Sequence, residues 1–120
     1  MSSSAICFSS PKSIDLHRTK LLQQTLTQLG LFETNEESKH RSAVLSKLDK
    51  LFKNWIISIS KEKNTSLVTF GGKVCAFGSY RLGVHTKNSD IDALCVAPVH
   101  VDRSDFFKSF YELQSEIIQL

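Results

Sequence analysis

Phe77-Gly78-Ser79-Tyr80-Arg81-Leu82-Gly83-Val84-His85-Thr86-Lys87-Asn88-Ser89-Asp90-Ile91-Asp92 is the stretch on which the reading of this chain turns. It joins a Gly-Ser turn, placed after an apolar run, to two aspartates one residue apart. Glycine lets a backbone come close to a phosphate, and a helix starting there aims its positive end at the anion. Side chains alternate along a strand, so Asp90 and Asp92 are expected on one face, with Ile91 on the other. Two carboxylates on one face repel unless a cation lies between them, and hard oxygen ligands suit Mg²⁺. A phosphate cradle followed by paired carboxylates points to nucleotidyl or phosphoryl transfer.

Working outward, Lys73-Val74-Cys75-Ala76-Phe77 reads as a buried strand feeding the turn, and Ser79 to Gly83 as one short helical turn. Asp90 to Ala97 reads as a second core strand, stopped by Pro98. Leu67-Val68-Thr69-Phe70 is a short apolar run, which Gly71-Gly72 could join to the first strand through a hairpin turn. Upstream, Thr34 and Glu37 form a capping box for a helix running to about Ser60. Val44, Leu48, Leu51 and Trp55 make its apolar stripe, widened by Leu45, Phe52, Ile56 and Ile59. An earlier helix is expected to be capped by Ser13, to carry Asp15 in its first turn, to repeat Leu22, Leu26 and Leu29, and to end at Gly30. Downstream, Asp102 or Ser104 caps a last helix with Phe106, Phe107, Phe110, Leu113, Ile117 and Ile118 as its apolar positions.

The 120 residues allow one small domain or part of a larger one, and 41% hydrophobic content supports a folded core. No apolar run is long enough to span a membrane. The serine-rich start lacks the basic residues and apolar core of a secretory signal, and residues 1–12 read as a disordered tail. Cys7, Cys75 and Cys95 show no C-x-x-C spacing, which fits a reduced compartment and structural thiols. Net charge is only +3, but from Lys39 to Lys87 the basic side chains are opposed by Asp49 and Glu62 alone. That bias suits a polyanion such as RNA, or simply a solvated helix face.

From Phe77 to Pro98, and on through Val101-Asp102-Arg103-Ser104-Asp105-Phe106-Phe107, the chain resembles the catalytic core of eukaryotic nuclear poly(A) polymerases, which are polymerase-beta-like nucleotidyltransferases. The superfamily pattern is only Gly-Ser and Asp-x-Asp; Phe-Gly-Ser-Tyr-Arg-Leu-Gly-Val-His ahead of Asp-Ile-Asp is far more specific. The resemblance reaches weakly back to about Asp15. It implies an α+β fold: a helical segment over 13–63, then a partial nucleotidyltransferase sheet with a C-terminal helix over 64–120. It implies AMP addition from ATP to RNA 3′ ends in mRNA polyadenylation. Asp90 and Asp92 would be catalytic and hold Mg²⁺, or Mn²⁺ in its place. Phe77, Gly78, Ser79, Thr86, Asp90, Ile91 and Asp92 would line the ATP site. ATP, an RNA 3′ end and mRNA 3′-processing factors are the implied partners, with no membrane, and the nucleus, or else the cytoplasm, is the implied compartment.

The family also uses a third metal carboxylate on a later strand. Asp102 and Asp105 follow the pair too closely to supply it, and no candidate follows Glu116. A truncated form with weak or no activity alone is therefore expected. The alternatives are a non-catalytic module that binds Mg-ATP or a protein partner, an unstable by-product, or another nucleotidyltransferase acting on tRNA ends or small acceptors.

Overall fold

The computed structural model describes residues 6–65 and 71–118, apart from the side chains of 116–118. Two helices, α1 (Ser13–Gln28) and α2 (Asn35–Glu62), precede a small mixed region. There β1 (Lys73–Ala76) leads into α3 (Gly78–Leu82), and β2 (Ala93–Val96) returns antiparallel to β1. The chain finishes in an unbroken helical run: α4 (Arg103–Asp105), a π-helical turn (Phe106–Phe110) and α5 (Tyr111–Ile118). This is the α+β arrangement expected from the sequence, with helices first, then a sheet and a helix last; among the described residues the sheet has two strands.

The capping box at α2 is present. Glu37 N–H donates to Thr34 Oγ1 at 3.2 Å, and Thr34 N–H donates to Glu37 Oε2 at 2.8 Å. At α1 the expectation fails by one residue. Lys12 is the N-cap and Ser13 the first helical residue, because Asp15 Oδ2 takes the Lys12 N–H at 2.9 Å and fixes the start there. Asp102, not Ser104, is the N-cap of α4, its N–H donating to Asp105 Oδ2 at 2.7 Å.

The core lies at the C-terminal half of α2. Phe52, Trp55, Ile56 and Ile59 meet Phe110 from the π-helical turn, and Val74, Cys95, Val101 and Leu113 pack around them. The rings of Phe52 and Trp55 stack at 5.6 Å, and Phe110 meets Phe52 edge-on at 5.3 Å. Trp55 Nε1 donates to Ser109 Oγ at 2.8 Å, so the buried indole keeps its hydrogen bond. Val44, read from the sequence as part of the stripe, is 43% exposed. The core is local to one end of the helix because only that end meets the sheet and the last helical run.

Asp49, one turn before the core, ties α2 to the sheet. Its Oδ1 accepts the Val74 N–H at 3.0 Å and its Oδ2 the Lys53 ammonium at 2.6 Å. Gly72 is closely packed. A Cβ there would collide with the Val96 carbonyl and stand 2.5 Å from Phe52 and 2.6 Å from Ile56. The apolar run proposed to pair with β1, residues 67–70, lies outside the described residues, so its hairpin is untested.

The second strand is shorter than expected. Pairing runs from Lys73–Val96 to Ala76–Ala93, with one more hydrogen bond, Phe77 N–H to the Asp92 carbonyl at 3.0 Å. Asp90, Ile91 and Asp92 stand before the ladder, not within it. The cause is Gly78, whose φ of +64° swings the partner chain into α3 and leaves nothing for residues 90 and 91 to pair with.

The chain is spread out. Its radius of gyration is 20.7 Å, against roughly 14 Å for a compact domain of this length. No side chain of α1 is buried. Of the expected repeat, Leu22 and Leu29 are more than half exposed and Leu26 is only partly covered, and Leu16 beside them is exposed too. Among those residues no helix is long and apolar enough to cross a membrane.

Candidate functional site

The Gly-Ser turn and the second aspartate meet. Gly78 opens α3 at positive φ, and a Cβ on it would run into Asp92 Oδ2. Glycine is required here twice, for the backbone conformation and for the space the carboxylate occupies. Ser79, partly buried, is the next residue of α3; its carbonyl accepts the Val84 N–H at 3.0 Å as the helix closes at Gly83, φ +70°. Phe77 is about half exposed beside the turn. Asp90 is exposed, while Ile91 and Asp92 are partly covered.

Thr86 sits in a compact turn further along the connecting loop. Its N–H donates to Ser89 Oγ at 3.0 Å, and its hydroxyl lies 2.9 Å from the same oxygen. Lys87 is held three ways. Its N–H donates to the Leu31 carbonyl at 2.9 Å, its carbonyl accepts Arg41 Nη2 at 2.8 Å, and its ammonium lies 3.0 Å from Glu37 Oε1. Glu37 has its carboxyl held below the usual range, first by the Thr34 N–H and then by Lys87. His85 Nε2 bonds Glu33, and its ring lies 5.2 Å from that of Tyr80.

The Asp92 carboxylate, seated where only glycine leaves room, is a hard oxygen donor of the kind a divalent cation would take. Among the described residues, no group of three or more His, Cys, Asp or Glu side chains is placed to hold a metal. Two other features lie apart from this site. An open apolar cavity of about 400 Å³ runs between β2 and the last helical run, lined by Leu94, Ala97, Arg103 and Phe107. Ser60 Oγ and His100 Nε2 are 2.7 Å apart, but Ser60 donates its proton to the Ile56 carbonyl at 2.7 Å. Nε2 must then donate to the serine, the wrong direction for activating a nucleophile.

Glu33 and Arg41 carry part of this geometry and were not found from the sequence. Arg41 reads as one more basic residue on a helix face; only the meeting of Glu33 with His85 and of Arg41 with the Lys87 carbonyl, far along the chain, gives the two a role.

With that geometry in place, the comparisons are specific. The family model of the poly(A) polymerase nucleotidyltransferase domain matches residues 2–119. The poly(A) polymerase of Dictyostelium discoideum is 42% identical over 106 residues, covering 86% of this chain and 13% of that protein. Nuclear poly(A) polymerase 1 of Arabidopsis thaliana is 40% identical over 119 residues, covering 96% of this chain and 17% of that protein. The chain belongs to the poly(A) polymerase nucleotidyltransferase-domain family. It spans less than a fifth of the length of these relatives.

Proposed function

We propose that this chain carries the nucleotide- and metal-holding part of a polynucleotide adenylyltransferase, which adds AMP from ATP to RNA 3′ ends. The observation that carries the reading is the seat of the Asp92 carboxylate against Gly78, which brings the turn and the second aspartate together. The relatives' names support the reaction class, and the word nuclear in one of them supports residence in the nucleus.

In this reading the backbone N–H groups and hydroxyl of Gly78 and Ser79 bind the β- and γ-phosphates. Asp90 and Asp92 hold Mg²⁺, which when bound supplies positive charge against the triphosphate and the attacking 3′-hydroxyl. Phe77, Thr86 and Ile91 line the nucleotide. The protein acts by orienting charge and geometry, and no side chain needs to act as a proton acceptor.

Two carboxylates without a third among the described residues favour a second, narrower reading for the chain by itself: binding of Mg-ATP with little or no transfer. The test is equilibrium Mg-ATP binding beside extension of an oligo(A) primer, for the wild-type chain, Asp90→Ala and Asp92→Ala. Binding weakened at least tenfold in either variant, with weak or no extension by the wild type, is the expected result. Binding indifferent to both aspartates would sink the nucleotide reading. Robust extension that depends on Asp92 would instead show that two carboxylates suffice.

A further inference from the structure

The loop over residues 84–89 spaces the Gly78–Ser79 turn from Asp90, and what holds most of it comes from elsewhere in the chain. Glu33, in the link between α1 and α2, has a side chain only 7% exposed. One of its oxygens bonds His85 Nε2, and the other lies 2.9 Å from Arg41 Nε, off the line of a directed bond, so that contact is one of charge. A carboxylate only accepts, so Nε2 carries a hydrogen. Nδ1 is buried with no hydrogen-bond partner among the described residues. The Glu33 bond and the Tyr80 ring are therefore what orient the imidazole.

Arg41 then passes its other end to the loop, donating from Nη2 to the Lys87 carbonyl, while Lys87 N–H returns to Leu31 in the same link. The neighbouring Ser42 lies 3.4 Å from the Tyr80 hydroxyl, which belongs to α3. One stretch of α2 and the link before it thus grip both the helix that starts at Gly78 and the loop that ends at Asp90. Groups serving stability alone could sit anywhere; these converge on the segment that sets the spacing of the two halves of the site.

We propose that Glu33, Arg41 and His85 are positioning residues for the nucleotide site, setting the path of residues 84–89 and so the placing of Asp90 relative to Gly78. The proposal rests on the nucleotide reading above. It is tested on the full 120-residue chain by two measurements, amide hydrogen exchange without ligand and Mg-ATP binding. In Glu33→Gln the amides of residues 84–89 should exchange at least tenfold faster, and the Mg-ATP dissociation constant should rise tenfold or more. His85→Ala should behave alike. His85→Gln keeps a donor near the place of Nε2 and should bind within threefold of wild type, a rescue that bulk destabilisation does not produce. Lys63→Met cuts the ion pair of Lys63 with Asp105 at the other end of α2; it should lower stability and leave Mg-ATP binding unchanged. Unchanged exchange in Glu33→Gln, faster exchange with unchanged binding, or equal weakening by Lys63→Met would each overturn the proposal. Mg-ATP binding indifferent to both Asp90→Ala and Asp92→Ala would defeat the nucleotide reading instead. The exchange arm would then still decide whether the three residues hold the loop.

Discussion

The carboxylate of Asp92 stands where a side chain on Gly78 would have to go, and the Phe77 N–H fixes the Asp92 backbone beside it at 3.0 Å. Gly78→Ala therefore meets two penalties, a methyl group against Oδ2 and a positive φ. The backbone strain alone costs about 1–2 kcal/mol, and displacement of Asp92 adds to it. The expected outcome is a lower thermal midpoint and Mg-ATP binding weakened at least tenfold, read by calorimetry. Retained binding would mean that Asp92 can shift without consequence.

Gly72 makes a different demand. It lies under the Val96 carbonyl and against Phe52 and Ile56, where the sheet crosses α2. Gly72→Ala overpacks this junction and should cost about 1–3 kcal/mol. The expected signature is a lower urea midpoint with an unchanged slope, and no specific loss of ligand affinity beyond the loss of folded protein.

Acid should loosen the fold through identifiable pairs. The Lys53 ammonium, and then the Val74 N–H, hold the Asp49 carboxyl below its usual range; Lys63 and the Asp102 N–H do the same to Asp105. A depressed folded-state pKa means stability that is fully present above the unfolded value, about 3.9 for aspartate, and lost as pH falls through the folded value. Lys63 is shifted upward by Asp105 and Asp102, so its share is present below about pH 10.4 and lost as pH rises through its raised value. Urea midpoints measured from pH 7 to pH 2 should fall below about pH 4. Asp49→Asn, which keeps an acceptor but loses the charge, should flatten that fall while costing about 0.5–1 kcal/mol at pH 7.

Ser109 Oγ accepts the Trp55 indole N–H and donates to the Asp105 carbonyl at 3.2 Å. Ser109→Ala leaves that donor buried without a partner and should cost about 1–3 kcal/mol. Tryptophan fluorescence follows the transition directly, since Trp55 is the sole tryptophan. A cost well under this range would mean that water reaches the indole.

Helix α1 is 16 residues long with nothing buried, and isolated helices of about that length are marginal in water. Its amides should exchange orders of magnitude faster than those of Phe52 to Ser60. Equal protection would show that another surface covers the leucines of α1 in solution.

Much of this was legible beforehand, where the signal is local. Thr34 and Glu37 are three residues apart and cap as read; Phe52 to Ile59 repeat at helical spacing and form the core; Gly78 punctuates strand and helix. What was missed is decided by partners distant in the chain. Alternation gave residues 90 to 97 as one strand, but the ladder ends at Ala93 because the opposite chain has already turned away at Gly78. Gly72 was read only as half of a hairpin turn, whose other strand lies outside the described residues; its packing beneath the Val96 carbonyl was a second demand that glycine also answers. The π-helical turn has no sequence signature; it sets Ser109 and Phe110 toward Trp55 and Phe52.

The grip on the candidate site sits near Arg41 and Ser42, whereas the aromatic cluster centres near Ile56, so α2 acts as a shaft between them about 22 Å long. A shaft transmits phase as well as distance. One residue inserted between Arg41 and Asp49 would turn the front end by about 100° relative to the back, dismantling the grip without altering any residue that forms it. Substitutions along that span should be forgiven and length changes should not. Its length in residues is thus as much a specification of the site as the identity of Asp90 or Asp92.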